Sequence, residues 1–441
     1  MKRLLVDSVI ATFFVFGVLI GIREVSQLNV LNVFDPLGQS LGDMEITDIT
    51  FSQLRVEIPP VDTNIVIVNT GYLSRAEVAQ QIRVISQFKP KVIGIDIFFN
   101  CRDGKTDSFN CPLAYDTLSN LILGTAIQDA GNVVMVTKLL QSEKLVKQYG
   151  DIDKYDSLEH TDEIIRGTAN EGYASLETGA DHQEDLKTCR RFNPAMRLED
   201  GSTEYAFSTR IAMLYDSLKT SRFLARGKRS EVINFRGNVP DVYEASAKEF
   251  ANRYTYLETY QALDPTSFEP EMIRDKIVLF GFMGQDMDDT SWDDKFITPL
   301  NKKFAGKTRP DMYGIVLHAN IISMILNEDY VNELEEWQQI AIAFILCFLN
   351  VILFFFITEK IPHWFDGLSL LIQLVQIVIC TWLMMYVLDW FNFKLNLTYS
   401  LAAIALVGTC FELYLNVVKR LYMAIKRKGW FTKKSKQVLT D

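Results

Sequence analysis

The acidic residues that could bind a cation are concentrated in one short segment of this 441-residue chain. The segment follows a predicted strand ending at Gly284 and contains Asp286, Asp288, Asp289, Asp293 and Asp294. Closely spaced carboxylates can coordinate Ca²⁺, but the glycine-containing spacing of calcium-binding loops is absent. We therefore expect a solvated loop or a helix cap and no cofactor, with a calcium site at Asp286, Asp288 and Asp289 as the alternative.

Polar side chains that could bind a ligand follow three predicted strands. Thr70 and Asp96 stand at or near the ends of two of these strands, and Asp286 follows the third. Ligands of open α/β sheets bind in the crevice at the carboxyl ends of the strands. The pattern therefore predicts ligand binding at Thr70, Asp96 and Asp286. The alternative for Asp96 is a structural carboxylate held by backbone N–H groups.

Catalysis is not expected from the sequence. The four histidines are His160, His182, His318 and His363. None of them stands in a recognisable pattern with a nucleophile. His318 lies beside Ala319 and Asn320 in a predicted helix, where we expect a packed, hydrogen-bonded side chain. The sequence therefore predicts a protein that is not an enzyme.

The cysteines predict one disulfide. Those outside the predicted membrane helices are Cys101, Cys111 and Cys189. An oxidising compartment favours pairing of Cys101 with Cys111, because these two flank a short polar loop just after a strand. The other three cysteines are expected to be small packing residues within membrane helices.

A strand–helix–strand unit carries the first candidate site residues. Ile65–Val68 is a short β-branched run, and Ser74 with Glu77 then forms a capping box that opens a helix. Val92–Phe99 is a continuous apolar run broken by Asp96, which is typical of a buried parallel strand. The pattern is that of a βαβ unit.

The alternation of strands and helices continues beyond this unit, with a charged, turn-rich insertion over residues 140–200. The further predicted helices are residues 115–130, Tyr205–Leu218 and Val316–Leu326. The further predicted strands are Val133–Val136, Val232–Phe235 and Lys276–Phe282, with weak signals at Gly172–Leu176 and Thr188–Phe192. The fold class is therefore α/β, with a doubly wound sheet that is mostly parallel or mixed.

Four apolar segments are long enough to cross a membrane as helices. They are Leu4–Ile22, Trp337–Thr358, Leu368–Trp390 and Leu395–Leu415. We expect the first to be a retained anchor, because no small-x-small cleavage site precedes Arg23. The chain is therefore a multi-pass membrane protein.

The orientation follows from the basic residues, because cytoplasmic flanks collect Lys and Arg. Residues 417–441 carry eight Lys or Arg and one acidic residue, and four spans return Lys2 and Arg3 to the same side. We therefore predict a membrane protein with both termini cytoplasmic. Its predicted regions are an anchor at 1–23, a domain outside the cytoplasm at 24–336, three membrane helices at 337–416 and a basic tail at 417–441.

Charge indicates which partners fit each region. Residues 24–336 contain 32 basic and 49 acidic residues, and a net charge of −17 argues against nucleic acid as a partner. The tail is expected to contact anionic lipid through Lys426, Arg427, Lys428, Lys433 and Lys434. Gln373, Gln376 and Asn350 within the spans are expected to contact a partner helix or one another's helices.

Several motifs recur in a specific order outside the membrane segments. They are DITFSQLR at Asp48–Arg55, PKVIGIDIFF at Pro90–Phe99, INFRGN at Ile233–Asn238, DKIVLFGFMG at Asp275–Gly284, ITPL at Ile297–Leu300 and GIVLHANIISMIL at Gly314–Leu326. Together they resemble the extracellular sensory CHASE domain of the second type. One span before the domain and three after it is also the usual layout of that family.

The resemblance implies sensing or ligand binding. Members commonly continue into a cyclase, a histidine kinase or a protein kinase, whereas about 25 residues follow the last span here. We therefore expect a non-enzymatic sensor or receptor that acts through a separate membrane protein, with a homo-oligomer as a further arrangement. The rival hypothesis is a structural scaffold subunit of a cell-envelope complex.

Overall fold

The chain forms two compact units. The computed structural model describes residues 2–26, 48, 51–52, 59–100, 115–142, 144–145, 147, 154–176, 188–240, 252–286, 288–301 and 309–425. One unit, here the membrane unit, comprises Met1–Gly42 and Asn332–Asp441. The other, here the α/β unit, comprises Asp43–Val331.

The α/β unit is built on strands that are joined largely by helices. Its main strands are β1 (Ile65–Asn69), β2 (Val92–Asp96), β3 (Val133–Leu140), β4 (Ser157–Glu159), β5 (Asn170–Tyr173), β6 (Arg191–Phe192), β7 (Ala195–Arg197), β8 (Thr203–Tyr205), β9 (Glu231–Val232), β10 (Thr255–Leu257), β11 (Ile277–Gly281), β12 (Lys295–Phe296) and β13 (Met312–Tyr313). Its helices are α2 (Arg75–Ser86), α3 (Thr117–Ala130), α4 (Glu163–Arg166), α5 (Phe207–Tyr215), α6 (Ser217–Leu224), α7 (Thr259–Leu263) and α8 (Gly314–Asn327), after α1 (Lys2–Ser26) of the membrane unit.

The central sheet is mostly parallel. Its strand order is β10-β1-β11-β2-β3, and β4 and β5 both pair with β3. The β3–β4 pair is antiparallel, and the other pairs are parallel. The predicted α/β class with a mostly parallel sheet is therefore confirmed.

Alternation along each strand creates a core on either face of the sheet. In β1, Ile65 and Ile67 belong to one core, whereas Val66 and Val68 belong to the other. Helices α5, α6 and α8 contribute to the first core, and α2, α3 and α7 contribute to the second. Both faces are covered, which explains why the strands are nearly continuous apolar runs.

Helix α2 begins as the sequence predicts. The Ser74 side chain accepts a hydrogen bond from the backbone N–H of Glu77, and the Glu77 carboxylate accepts one from the backbone N–H of Ser74. This reciprocal cap fixes where the chain turns away from the end of β1.

Three predicted elements differ in extent, each for a local reason. Strand β2 ends at Asp96 and not at Phe99, because its partner β11 ends at Gly281, opposite Asp96. The helix predicted over Tyr205–Leu218 is divided in two at Asp216, whose backbone is extended and whose carboxylate accepts a hydrogen bond from the Lys219 N–H of α6.

Strand β9 is also shorter than predicted. It ends at Val232 and not at Phe235. The Ile233 N–H still donates to the Arg190 carbonyl, but the N–H groups of Asn234 and Arg236 bond to helix α8 instead of a strand. The N–H of Asn234 donates to the Met324 sulfur, and the N–H of Arg236 donates to the Asn320 carbonyl oxygen. Side chains of α8 thus replace a strand partner.

The membrane unit contains four helices of membrane-spanning length. They are α1, α9 (Glu336–Lys360), α10 (Phe365–Phe391) and α11 (Thr398–Leu413), the last continuing as helix to Ile425. A two-residue parallel pair links β14 (Asn332–Glu333) to β15 (Phe393–Lys394). The four predicted spans are confirmed, although the last runs ten residues beyond the predicted end at Leu415, through a π-helical turn at Tyr414–Lys419.

Helix α1 is an integral part of the membrane unit. Ala11 and Val15 are buried in its core, and the Phe13 ring packs edge-on against Phe344 of α9 with centroids 5.3 Å apart. The Lys419 ammonium donates to the Asp7 carboxylate at 2.6 Å. This ion pair ties α1 to the helical continuation of α11.

Two of the predicted intramembrane contact residues bond within the chain. The Gln373 amide nitrogen donates to the Ile404 carbonyl at 2.8 Å, and the Asn350 amide donates to Leu346. The side-chain oxygen of Gln376 is buried and has no hydrogen-bond partner among the described residues. The Asn350 side-chain oxygen is likewise buried without a partner among the described residues, so Asn350 and Gln376 each leave an acceptor open.

Candidate functional site

Three strands end side by side at the carboxyl edge of the sheet. Asn69 of β1 pairs with Gly281 of β11, and Gly281 pairs with Asp96 of β2. A side chain at Gly281 could not be accommodated, because its Cβ would lie 2.6 Å from the Cβ of Ile315 in α8. The glycine lets the first turn of α8 approach the ends of the strands.

Asp96 faces a histidine of α8. Its carboxylate lies 3.8 Å from His318 Nε2, and His318 Nδ1 shares a 2.6 Å hydrogen bond with the hydroxyl of Ser208 in α5. The ring of Phe207 packs edge-on against the imidazole. The expectation that His318 is packed and hydrogen-bonded is confirmed.

Burial shifts the pKa of both residues of the Asp96–His318 pair. It raises the pKa of Asp96, and the nearby His318 opposes that rise. It also lowers the pKa of His318, against the attraction of the Asp96 carboxylate. The histidine is therefore neutral at pH 7, and its Nε2 is too far from the carboxylate for a direct hydrogen bond.

Asp294 is an exposed residue close enough to Asp96 for their charges to interact. Its backbone has a φ of 55°, a left-handed conformation that Asp tolerates better than most residues. Its carbonyl accepts the Gly314 N–H at the start of α8, and both carboxylate oxygens lie 3.2 Å from where a Gly314 Cβ would stand. The carboxylate is thus beside the positive end of the helix dipole.

The pKa of the Asp294 carboxyl lies well above its usual range. Asp294 is open to solvent on one side, yet protein surrounds it elsewhere. This partial loss of hydration raises the pKa of Asp294, and the negative charges of Asp96 and Asp293 raise it further. Repulsion between carboxylates would be relieved by a cation or by a hydrogen-bond donor placed between them.

The Ser208–His318–Asp96 arrangement has the residue types of a hydrolytic triad but not its geometry. Ser208 is fully buried within α5, so its hydroxyl cannot reach a substrate. The hydroxyl also bonds to Nδ1, and the gap between Nε2 and Asp96 is too long to orient the ring. The arrangement suits binding better than acyl transfer.

Thr70 is placed at the same edge, two strands from Asp96, which is about 10 Å at the usual strand spacing. It is buried, and its N–H donates to the Gly281 carbonyl. Its neighbour Asn69 holds the strand ends together: the Asn69 carbonyl oxygen accepts from the N–H groups of Gly71 and Met283. Thr70 thus lies at the carboxyl edge of the sheet beside Gly281.

The acidic segment after β11 is a hydrogen-bonded loop. The Asp286 carboxylate accepts the Asp288 N–H, and the Asp289 carboxylate accepts the N–H groups of Gln285 and Ser291. Asp286 and Asp288 are exposed. Within the described part of the chain, no three His, Cys, Asp or Glu side chains are grouped as a metal site. Calcium binding at Asp286, Asp288 and Asp289 stays a prediction.

Two further predictions fall outside the described residues. These are the Cys101–Cys111 disulfide and the lipid contacts of Lys426, Arg427, Lys428, Lys433 and Lys434. The third cysteine of the α/β unit, Cys189, is buried, and its Sγ donates to the Arg191 carbonyl at 3.8 Å.

The INFRGN and HANIISMIL motifs bind each other. The side-chain oxygen of Asn320 accepts hydrogen bonds from the backbone N–H groups of Arg236 and Gly237. Its side-chain nitrogen donates to the backbone carbonyls of Gly237 and Val316. The Arg236 guanidinium pairs with Asp329 at 2.8 Å. The first motif is thereby fixed along α8.

Other motifs meet in the same way. Asp48 of the DITFSQLR motif accepts two hydrogen bonds from the Arg190 guanidinium, and Phe51 packs edge-on against Phe235. Thr298 of the ITPL motif donates its N–H and its hydroxyl to the buried carboxylate of Asp311. The recurring residues therefore build the framework of the α/β unit.

A parallel-sheet unit with a cluster of polar side chains at its carboxyl edge, joined in one chain to four helices of membrane-spanning length, defines a membrane-anchored α/β protein. The CHASE2 domain family model matches residues 13–354, from within α1 to within α9. The chain therefore belongs to the CHASE2 family, whose domains are sensory. No curated protein and no solved structure matches the chain.

Sequence reasoning missed part of this site. Asp294 was visible only as a member of an acidic run, because the run gives no sign of which carboxylate turns towards α8. Ser208 carried no signal, since its partner His318 is 110 residues away. Asn69 could have been found, because it stands at the end of the first predicted strand.

Proposed function

We propose that this chain is a sensor or receptor of the bacterial inner membrane that works without catalysis and passes its signal to a separate protein. Its ligand would bind at the site of Asp96, His318 and Asp294. The family assignment supports sensing, and the polar side chains at the carboxyl edge of the sheet supply groups that a ligand could contact.

One observation carries this proposal: the helix that forms the site is also the last helix before the membrane spans. His318 and the N-terminus that contacts Asp294 belong to α8. Four residues after α8 the α/β unit ends, at Val331. A helix of this length spans about 20 Å and moves as one piece, so a displacement at the site reaches the exit segment, residues 328–331.

The charges of the site indicate the ligand's chemistry. Asp96 and Asp294 are carboxylates that repel each other, and His318 is neutral at pH 7. The 3.8 Å gap between Asp96 and His318 leaves both groups able to bond to a third group. These features favour a ligand that is positively charged or donates hydrogen bonds.

We expect replacement of Asp96 by asparagine to change the exit segment. Loss of the charge beside His318 should alter hydrogen exchange of the amides in 326–331 at least threefold, because α8 links the two regions. The measurement is hydrogen–deuterium exchange by mass spectrometry on the full chain purified in mild detergent. Asp129→Asn, at an exposed position in α3, is the matched control.

The same preparation separates the rival function. A scaffold predicts equal exchange in the wild type and in Asp96→Asn, and such equality would contradict sensing at this site.

A separate output protein should accompany both forms, held in part through Gln376, whose buried oxygen leaves an acceptor open. A lone monomer after crosslinking in cells would contradict the partner, and a crosslinked dimer of this chain would identify it as a homo-oligomer.

The proposed orientation places residues 24–336 in the periplasm and both termini in the cytoplasm, with the basic tail at anionic lipid. A membrane-impermeant maleimide should label Lys154→Cys in intact cells and should not label Lys434→Cys, each compared with the background of the native cysteines. Labelling of the tail position alone would reverse the orientation.

A further inference from the structure

A cleft in the α/β unit lies apart from the carboxyl edge of the sheet. Its volume is about 440 Å³, within the range of small-molecule sites. It is lined by Pro194, Ala195, Met196, Arg197, Phe223, Leu224, Gly227, Lys228, Arg229 and Glu231. The lining combines strand β7, the end of α6 and the loop that follows α6.

The charges around the cleft are reversed relative to the rest of the region. Residues 24–336 have a net charge of −17, yet Arg197, Lys228 and Arg229 all line this cleft. The one acidic lining residue, Glu231, is buried and paired with the Arg226 guanidinium at 2.7 Å and with the Lys228 ammonium at 3.7 Å, so the cations still outnumber it. The cleft therefore presents a positive surface in an acidic domain.

The floor of the cleft is apolar and firmly packed. Phe223 is buried and stacks on Phe192 with the ring planes 10° apart. Met196, also buried, and Leu224 stand beside it in the lining. Packing on both sides of Phe223 keeps the floor in place without a ligand, which lowers the ordering cost of binding.

We propose that this cleft binds an amphipathic organic anion. The carboxylate or phosphate group would bind Arg197, Lys228 and Arg229, since basic side chains form charge-assisted hydrogen bonds with such groups. The apolar part would lie on the partly exposed Leu224, above the buried ring of Phe223. This site is separate from the carboxyl-edge site, which favours a ligand of opposite charge.

A ligand in the cleft would lie next to a helix that contacts the end of the α/β unit. This helix, α6, also supplies Phe223. The Arg222 guanidinium pairs with Glu328 at 2.7 Å, and Phe223 packs against Tyr330 with centroids 5.4 Å apart. The Arg226 guanidinium lies over the Tyr330 ring. A ligand bound beside α6 is thus linked, through Arg222, Phe223 and Arg226, to the exit segment that follows α8.

The occupant is a soluble molecule whose anionic group and apolar part both enter the cleft. A lipid headgroup would bring only its polar atoms to the cleft and would leave the apolar floor uncovered. Inorganic phosphate would leave that floor uncovered. Phosphate-backbone partners are disfavoured by the charge of the surrounding region.

The test uses the full chain in phosphatidylcholine nanodiscs and three probes. They are 4-phenylbutyrate, its neutral amide and acetate, measured by isothermal titration calorimetry against empty nanodiscs. We expect 4-phenylbutyrate to bind at least tenfold more tightly than the other two. Equal affinity of the acid and the amide would overturn the role of charge, and equal affinity of the acid and acetate would overturn the apolar floor.

Variants test where the probe binds. Arg197→Glu should weaken binding of 4-phenylbutyrate at least tenfold, and Lys228→Gln should weaken it severalfold. Lys138→Glu, at another exposed strand position, changes the net charge equally and should leave binding unchanged. Equal losses in Arg197→Glu and Lys138→Glu would overturn the site. Competition by phosphatidylglycerol in the nanodisc would identify a lipid headgroup as the occupant and contradict the soluble ligand.

Discussion

Replacement of Asn320 by alanine is expected to destabilise the α/β unit by about 3–5 kcal/mol. The Asn320 side chain is fully buried and makes four hydrogen bonds to backbone groups, two of them from the N–H groups of Arg236 and Gly237. Alanine leaves both donors buried and unpaired, and each such loss costs about 1–3 kcal/mol, with a cavity penalty in addition. Pulse proteolysis of the full chain across a urea series measures the change.

Asn327→Ala is the matched control on the same helix. Asn327 is exposed, and its amide bonds to the Ser323 carbonyl and to Asp62 near the surface. Its loss should cost less than about 1 kcal/mol, because water can replace these bonds. Comparable destabilisation by the two variants would show that the Asn320 bonds do not hold the INFRGN segment.

The sheet could be predicted because its strands obey a simple rule. Each is buried on both faces, so it appears in the sequence as a short apolar run such as VIGID at Val92–Asp96. The strand order could not be predicted, since β11 inserts between β1 and β2 although it follows them by about 180 residues. Apolar runs do not encode which neighbour each strand has.

Element ends were predicted less well where tertiary contacts decide them. Asp216 stops one helix and begins the next through its own side chain, within an apolar pattern that looks continuous. The INFRGN segment has the composition of a strand, but Asn320 and Met324 of α8 satisfy its backbone. Local propensity was overridden by partners far away in the chain.

The candidate site shows the same division. Asp96 was found because a polar residue in an apolar strand stands out near the carboxyl edge, where ligands bind. Its surroundings come from α5, α8 and the loop before β12, and only folding brings these together. Sequence pattern therefore located the edge of the sheet but not the residues that face it.

The largest pH effect on stability is expected from Asp311. Its carboxylate is buried and accepts hydrogen bonds from Thr298 and Asn301. Burial raises the pKa of Asp311 from 3.8 to about 7, against the effect of these hydrogen bonds. The raised pKa means that the folded chain favours the protonated form.

The sign of the effect follows from proton binding. Between pH 4 and 7 the folded state holds the Asp311 proton and the unfolded state does not, so the free energy of unfolding falls as pH rises and becomes constant above pH 7. The full difference is on the order of 4 kcal/mol, at 1.36 kcal/mol for each pKa unit. Most of it develops between pH 5 and pH 8.

Asp311→Asn removes this dependence while retaining the shape of the side chain. Its oxygen can still accept the Thr298 N–H, and its amide can donate to the Thr298 hydroxyl, which now donates to the carboxylate. The wild type should therefore lose about 2–3 kcal/mol more stability than Asp311→Asn between pH 5 and pH 8. Pulse proteolysis in urea at both pH values measures this, with Asp129→Asn as the exposed control. Parallel pH profiles of the wild type and Asp311→Asn would mean that the Asp311 carboxylate is ionised in the folded chain. The hydrogen bonds from Thr298 and Asn301 would then have to stabilise a buried charge without a cation.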